Sequence, residues 1–208
     1  MKRLIILISI LLLPVAASAQ TTASANPAET CQLAVNKSPV IRGIKLGMKI
    51  EDLLRFFPGA EQNEQLKKTL GERTSYPHLG VVNLYVTPRD YSTKAQFAGI
   101  SGLRFLVIDD RIAEYDVSYA DPPDGPSWSR VEDWVAKVAE SLDLPPVSNW
   151  SFDRSDSERT LRCNGFYVRA SNSNLRGNLQ IATSEFPYKE QQKRREAFDE
   201  KLRHDFKP

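Results

Sequence analysis

The sequence predicts an α+β protein built from two helix-plus-antiparallel-meander units, in one sheet or two adjacent small sheets, followed by a charged C-terminal helix. Three observations predict it. The apolar residues switch from helical spacing to a period of two, and they do so twice along the 208 residues. Turn-forming residues punctuate the alternating runs. Only two cysteines are present, far apart, so no dense disulfide framework replaces a core.

The first unit occupies residues 30–120. Pro39 to Leu46 is short and apolar, with Val40, Ile41, Ile44 and Leu46 as strand residues, and Gly47 breaks it. Ile50, Leu53, Leu54 and Phe57 then fall at i, i+3, i+4 and i+7, one face of an amphipathic helix that Pro58-Gly59 stops. Glu61 to Arg73 is polar, and Leu66 and Leu70 suit a further helical turn. From Gly80 the period is two. Val82, Leu84 and Val86 alternate in one run, Leu103, Phe105 and Val107 in the next, and Ala113, Tyr115, Val117 and Tyr119 in a third. Asp109-Asp110 between the last two suits a tight reverse turn, which needs such residues without any catalytic role.

Asp121 to Pro126, rich in proline, opens the second unit, residues 121–185. Ser129 and Glu132 have the spacing of a capping box. Val131, Trp134, Val135, Val138 and Leu142 continue as an apolar stripe until Pro145-Pro146 ends the helix. Strands follow at Trp150 to Asp153, Arg159 to Cys163, Phe166 to Ala170 and Gly177 to Thr183, and Asn164-Gly165 is a strong hairpin signal between the second and third of them. Residues 186–208 are charge-rich, with Ala197, Phe198, Leu202 and Phe206 at helical spacing.

The beginning of the chain reads as an export signal, residues 1–19. Lys2 and Arg3 precede an apolar run from Leu4 to Leu13, interrupted only by Ser9 and shorter than the roughly 20 residues that span a bilayer. Ala17-Ser18-Ala19 then has the small-x-small pattern of a cleavage site before Gln20. Residues 20–29 have little to bury and read as a flexible leader. A periplasmic or secreted location follows, with no integral membrane segment after cleavage.

Compartment governs the remaining chemistry. The formal charge of +2 equals the contribution of Lys2 and Arg3, so the chain beyond the signal is formally neutral and lacks the cationic surplus of a nucleic-acid binder. Outside a reducing cytosol, Cys31 and Cys163 are expected to form a structural disulfide. Neither has the neighbours of a catalytic thiol, since the only histidines are His78 and His204, and no CxxC or HxxxH spacing suggests zinc. No metal or other cofactor is expected. The sequons at Asn36 and Asn149 carry no meaning behind a leader that looks bacterial.

The stretch Arg42-Gly43-Ile44-Lys45-Leu46-Gly47-Met48, running into the helix from Ile50 to Phe57 and the stop at Pro58-Gly59, resembles a recurrent opening of small exported bacterial proteins. With the following meander it is similar to the fold shared by the lipoprotein subunit of the outer-membrane β-barrel assembly machinery and by the β-lactamase inhibitor protein. The resemblance implies a helix-plus-meander unit in tandem. It transfers no functional residue, and the chain departs from it in having no lipid-attachment cysteine and in placing Lys49 where such openings have Ser or Thr.

No GxSxG, glycine-rich phosphate loop or HExxH is present. The function expected is therefore a non-catalytic binding module of the bacterial envelope, holding a protein or envelope component through a sheet face. Tyr85, Trp128, Trp150 and Tyr167 are the candidate surface, being aromatics of the type enriched at interfaces. The alternatives are an envelope hydrolase assembled from scattered carboxylates and a structural envelope protein without a specific ligand.

Overall fold

The computed structural model describes residues 31–64, 66–69, 80–91, 95–120, 125–152, 156–173, 175–184 and 186–207. The expected signal peptide and leader, and His78, lie outside the described residues. Three labelled helices are α1 (Ile50–Leu54), α2 (Val131–Ser141) and α3 (Phe186–Asp205). The strands are β1 (Val81–Val86), β2 (Ile100–Ile108), β3 (Arg111–Tyr119), β4 (Ser151–Phe152), β5 (Glu158–Arg162), β6 (Phe166–Ser173) and β7 (Arg176–Thr183). All seven lie in one antiparallel sheet, ordered β1-β2-β3-β7-β6-β5-β4. The fold is α+β, and the two meanders share a single sheet because β3 pairs with β7, from Glu114 opposite Ala182 to Ser118 opposite Asn178.

Turn chemistry sets the registers. Asp109 and Asp110 both take positive φ, 48° and 64°, the left-handed pair that matches the twist of a two-residue hairpin. In the β5-β6 hairpin the Cys163 amide donates to the Phe166 carbonyl at 2.9 Å, with Gly165 at φ 85°. Alternation then sorts side chains onto two faces. Leu84, Phe105, Tyr115, Ile181, Val168 and Leu161 make one continuous row across six strands, and every one of them is fully buried. Leu53 and Phe57 near α1, and Val135 and Val138 of α2, belong to the same apolar cluster. Truncating any of these large side chains to Ala would cost about 2–5 kcal/mol.

The segment from Pro39 to Leu46 differs from the strand its pattern predicts. Arg42 and Gly43 both have positive φ, and Ile41 and Ile44 exchange both backbone hydrogen bonds at 2.9 Å, so the stretch is a tight turn with a single bridge. Two of its apolar residues, Ile41 and Ile44, are still buried while Val40 is exposed, and the buried Tyr115 hydroxyl donates to the Pro39 carbonyl at 2.8 Å. The α-helix after it is shorter than the stripe predicts, ending at Leu54, because the Phe56 and Phe57 amides bond three residues back, to Leu53 and Leu54, before Gly59 turns the chain at φ 85°. Lys49 offers no side-chain cap to α1. Instead the Asp110 carbonyl of the β2-β3 turn accepts from the Ile50 amide at 2.9 Å.

Helix α2 is also capped differently from expectation. Its N-cap is Arg130, without a side-chain cap bond, and Glu132 reaches across to Arg159 of β5. Arg159 stands at the end of the inward row Val86, Leu103, Val117, Leu179 and Ala170, where its side chain is only 4% exposed. Its guanidinium also donates to the Asp156 and Glu158 carbonyls and lies 3.7 Å from the centre of the Phe152 ring. A buried cation is tolerated only when so enclosed.

Cys31 and Cys163 are joined by a disulfide, the Asn164 amide donates to the Leu33 carbonyl at 3.0 Å, and Ala34 and Asn164 form a parallel bridge. The start of the described chain is thereby stitched to the tip of the β5-β6 hairpin. Helix α3 is held by Arg194, which grips both carboxylate oxygens of Asp109 at 2.7 and 2.6 Å and also Glu190 at 3.1 Å. Beyond the half-buried Phe198 its apolar face continues bare, with Leu202 and Phe206 53% and 73% exposed. No described helix is long and apolar enough to cross a membrane.

Replacing both cysteines by Ser should lower stability by about 2–5 kcal/mol in a urea titration, because the bridge spans 132 residues of sequence. Glu132→Ala should cost about 1.5–3 kcal/mol, since it removes a carboxylate from the buried Arg159 and leaves its charge to backbone carbonyls. Lys137→Ala removes an exposed pair with Glu140 on the same helix and should cost under about 0.5 kcal/mol; equal losses would refute the role given to Arg159.

Candidate functional site

The polar members of the same strands assemble the other face of the sheet. Register places Tyr85, Arg104, Asp116, Gln180, Arg169 and Thr160 in one row, from β1 to β5. The adjoining row runs Gly102, Ser118, Asn178, Ser171 and Glu158. A cavity of about 350 Å³ opens over both rows, lined by Tyr85, Arg104, Asp116, Ser118, Arg169, Ser171, Asn178 and Gln180 among others.

The first of these rows is internally bonded. Arg104 pairs with Asp116 and, at 2.8 Å, with Glu114, a carboxylate only 2% exposed. Gln180 donates to Glu114 at 2.9 Å and accepts from Arg169 at 3.0 Å, and Arg169 in turn lies 3.1 Å from Glu158. Burial pushes the Asp116 carboxyl above its ordinary value of 3.8, more than Arg104 pulls it down. Burial likewise raises the Tyr167 phenol, with Glu114 adding to the effect. The second row is open except at Glu158: no side-chain hydrogen bond holds the Ser118 or Ser171 hydroxyl or the Asn178 amide oxygen among the described residues.

Tyr85 completes the surface. It is 65% exposed and its hydroxyl end lies over Gly102, so that a Cβ built there would stand 2.7 Å from the Tyr85 hydroxyl oxygen. Glycine at 102 leaves room for that end of the side chain on the neighbouring strand.

The four aromatics expected as one surface are divided by the fold. Tyr85 and Tyr167 share the polar face, with Arg169 5.5 Å from the Tyr167 ring centre. Trp150 belongs to the core: it is 5% exposed and its indole N–H donates to the Pro145 carbonyl at 2.9 Å. Trp128 is half-buried on the helix side, 5.2 Å from Trp134, whose ring also meets Tyr119 at 5.0 Å. These three rings line a second cavity of about 560 Å³ with Val40, Ile41 and Leu142. Sequence reasoning missed Arg104, Asp116, Asn178 and Gln180, although each occupies the polar phase of a strand whose apolar phase was read.

Because the folded pKa of Asp116 lies above the unfolded one, the native state holds that proton more tightly, and stability falls as pH rises from 3.8 toward the raised value. Asp116→Asn removes the penalty. The variant should match the parent in thermal melts near pH 3 and exceed it at pH 7; a variant less stable than the parent at pH 7 would show that the pairing with Arg104 outweighs burial. Compared with known proteins, the chain matches no family model, no curated protein and no solved structure.

Proposed function

We propose that the protein is an exported, non-catalytic binding module of the bacterial envelope, and that the polar sheet face holds its partner. The observation that carries this reading is the cavity over two register rows, in which an ordered ionic row lies beside the Ser118 and Ser171 hydroxyls and the Asn178 amide oxygen, none of which has a side-chain partner among the described residues. A ligand site of this kind needs a few fixed polar groups and a rigid frame, and five paired strands supply the frame. The disulfide supports placement outside the reducing cytosol, where such bonds persist. The apolar leader and its small-x-small cleavage pattern support export.

The carboxylates at this site are a poor fit to hydrolysis. Asp116, which lines the cavity, and the buried Glu114 nearby are both engaged by Arg104, and Glu114 by Gln180 as well, which makes them members of a structural network. Acid/base work requires a carboxyl positioned to exchange a proton with a substrate.

The test is capture from envelope extract by the purified protein, compared with Tyr85→Ala and Asn178→Ala. A specific component should be recovered by the parent and reduced about tenfold by Tyr85→Ala, the loss typical of an interface anchor. Recovery of nothing above background, or recovery equal for all three proteins, would defeat the proposal.

A further inference from the structure

The geometry points to a neutral saccharide as the ligand of the polar sheet face, with one sugar ring stacked on Tyr85 and its hydroxyls bonded to Ser118, Asn178 and Asp116. This inference rests on the sheet-face reading above and names the chemistry that the face would take. Three features lead to it.

The first is the platform. Tyr85 is 65% exposed at the rim of the cavity, with its hydroxyl end over Gly102, so its ring is open to a ligand seated there. The face of an aromatic ring carries partial negative charge and attracts weakly positive C–H groups. A pyranose ring presents a flat array of such C–H groups on one side and hydroxyls around its rim.

The second is the inventory of open bonding capacity. The Ser118 and Ser171 hydroxyls both donate and accept, and the Asn178 amide oxygen accepts; none has a side-chain partner among the described residues. Asp116 is engaged by Arg104 and bonded by Gln180, and a carboxylate's remaining lone pairs keep acceptor capacity for a further donor. Hydroxyl groups are donors and acceptors at once, so a polyol satisfies this mixture, whereas an anion would leave the acceptors unmet.

The third is charge. Arg104 faces Glu114 and Asp116, and Arg169 faces Glu158, so each guanidinium already has a carboxylate. No positive charge is left over to select a phosphate or carboxylate ligand. Besides Tyr85 the only apolar residue of the lining is the buried Leu179, so the cluster of exposed apolar anchors that a protein hot spot uses is missing from it. A volume of about 350 Å³ sits at the small end of ligand clefts, which span roughly 300–1,000 Å³.

The experiment is titration of the purified, disulfide-bonded protein with chitotetraose, cellotetraose and maltotetraose, followed by amide NMR shifts and calorimetry. At least one sugar should bind saturably, with shifts confined to β1, β2, β3, β6 and β7. Tyr85→Ala should weaken binding at least about tenfold, as loss of an anchoring aromatic does, while Tyr85→Phe should leave it nearly unchanged. Gly102→Ala, which lifts the ring without removing it, should weaken binding too; thermal melts equal to the parent's would show that each variant is folded. If no sugar binds while envelope capture still depends on Tyr85, the saccharide assignment fails and the sheet-face reading survives, with a protein as the partner. If no sugar binds and capture ignores Tyr85, both fail.

Discussion

The pairing of β3 with β7 is the interaction on which the rest of this structure depends. Five register positions, from Glu114 with Ala182 to Ser118 with Asn178, join a meander from the first half of the chain to one from the second. Without them each meander would own a narrow sheet with two edges and a thin core. With them the inner row from Leu84 to Leu161 becomes continuous, and Tyr115 and Ile181 meet at its centre. The same five pairs make the polar face, because Arg104 and Asp116 come from one half while Gln180 and Arg169 come from the other. Core and candidate site are two consequences of one backbone contact.

Much of this architecture was legible from residue spacing. Alternation located the strands of both units, and the stripe from Val131 to Val138 located α2, because burial on one side imposes those periods directly. The cysteines could be paired because only two exist, in a chain whose first residues read as an export signal. What spacing could not give was which strand lies next to which, since β3 and β7 are some sixty residues apart and nothing local encodes their contact. The polar face was illegible for the same reason: Asp116 and Gln180 each look like an ordinary solvent-side residue until register sets them opposite one another.

Local misreadings have local causes. Pro39 to Leu46 has the apolar content of a strand, but Arg42-Gly43 turns the chain back, and Ile41 and Ile44 reach the core from a tight turn instead. Ser129 and Glu132 have capping spacing, yet the enclosed guanidinium of Arg159 competes for the Glu132 carboxylate and wins, because stranding a buried cation costs more than leaving a helix end to solvent. Trp150 was read as surface from its neighbours in sequence. Its indole nitrogen found the Pro145 carbonyl five residues back, so the ring could be buried without an unsatisfied donor.

The enclosed arginine has a further meaning for the sheet's outer border. A strand edge with an apolar inner row invites another chain to extend it, and proteins blunt such borders with very short strands and inward-pointing charge. Here both devices stand side by side: β4 is two residues long, and Arg159 on the adjacent strand ends an apolar row with a cation capped by Phe152. An intruding strand would find little backbone to pair with, and at the end of the apolar row it would meet a guanidinium already enclosed and committed to Glu132. On that side the ion pair works against edge-to-edge pairing as well as fixing α2 to the sheet.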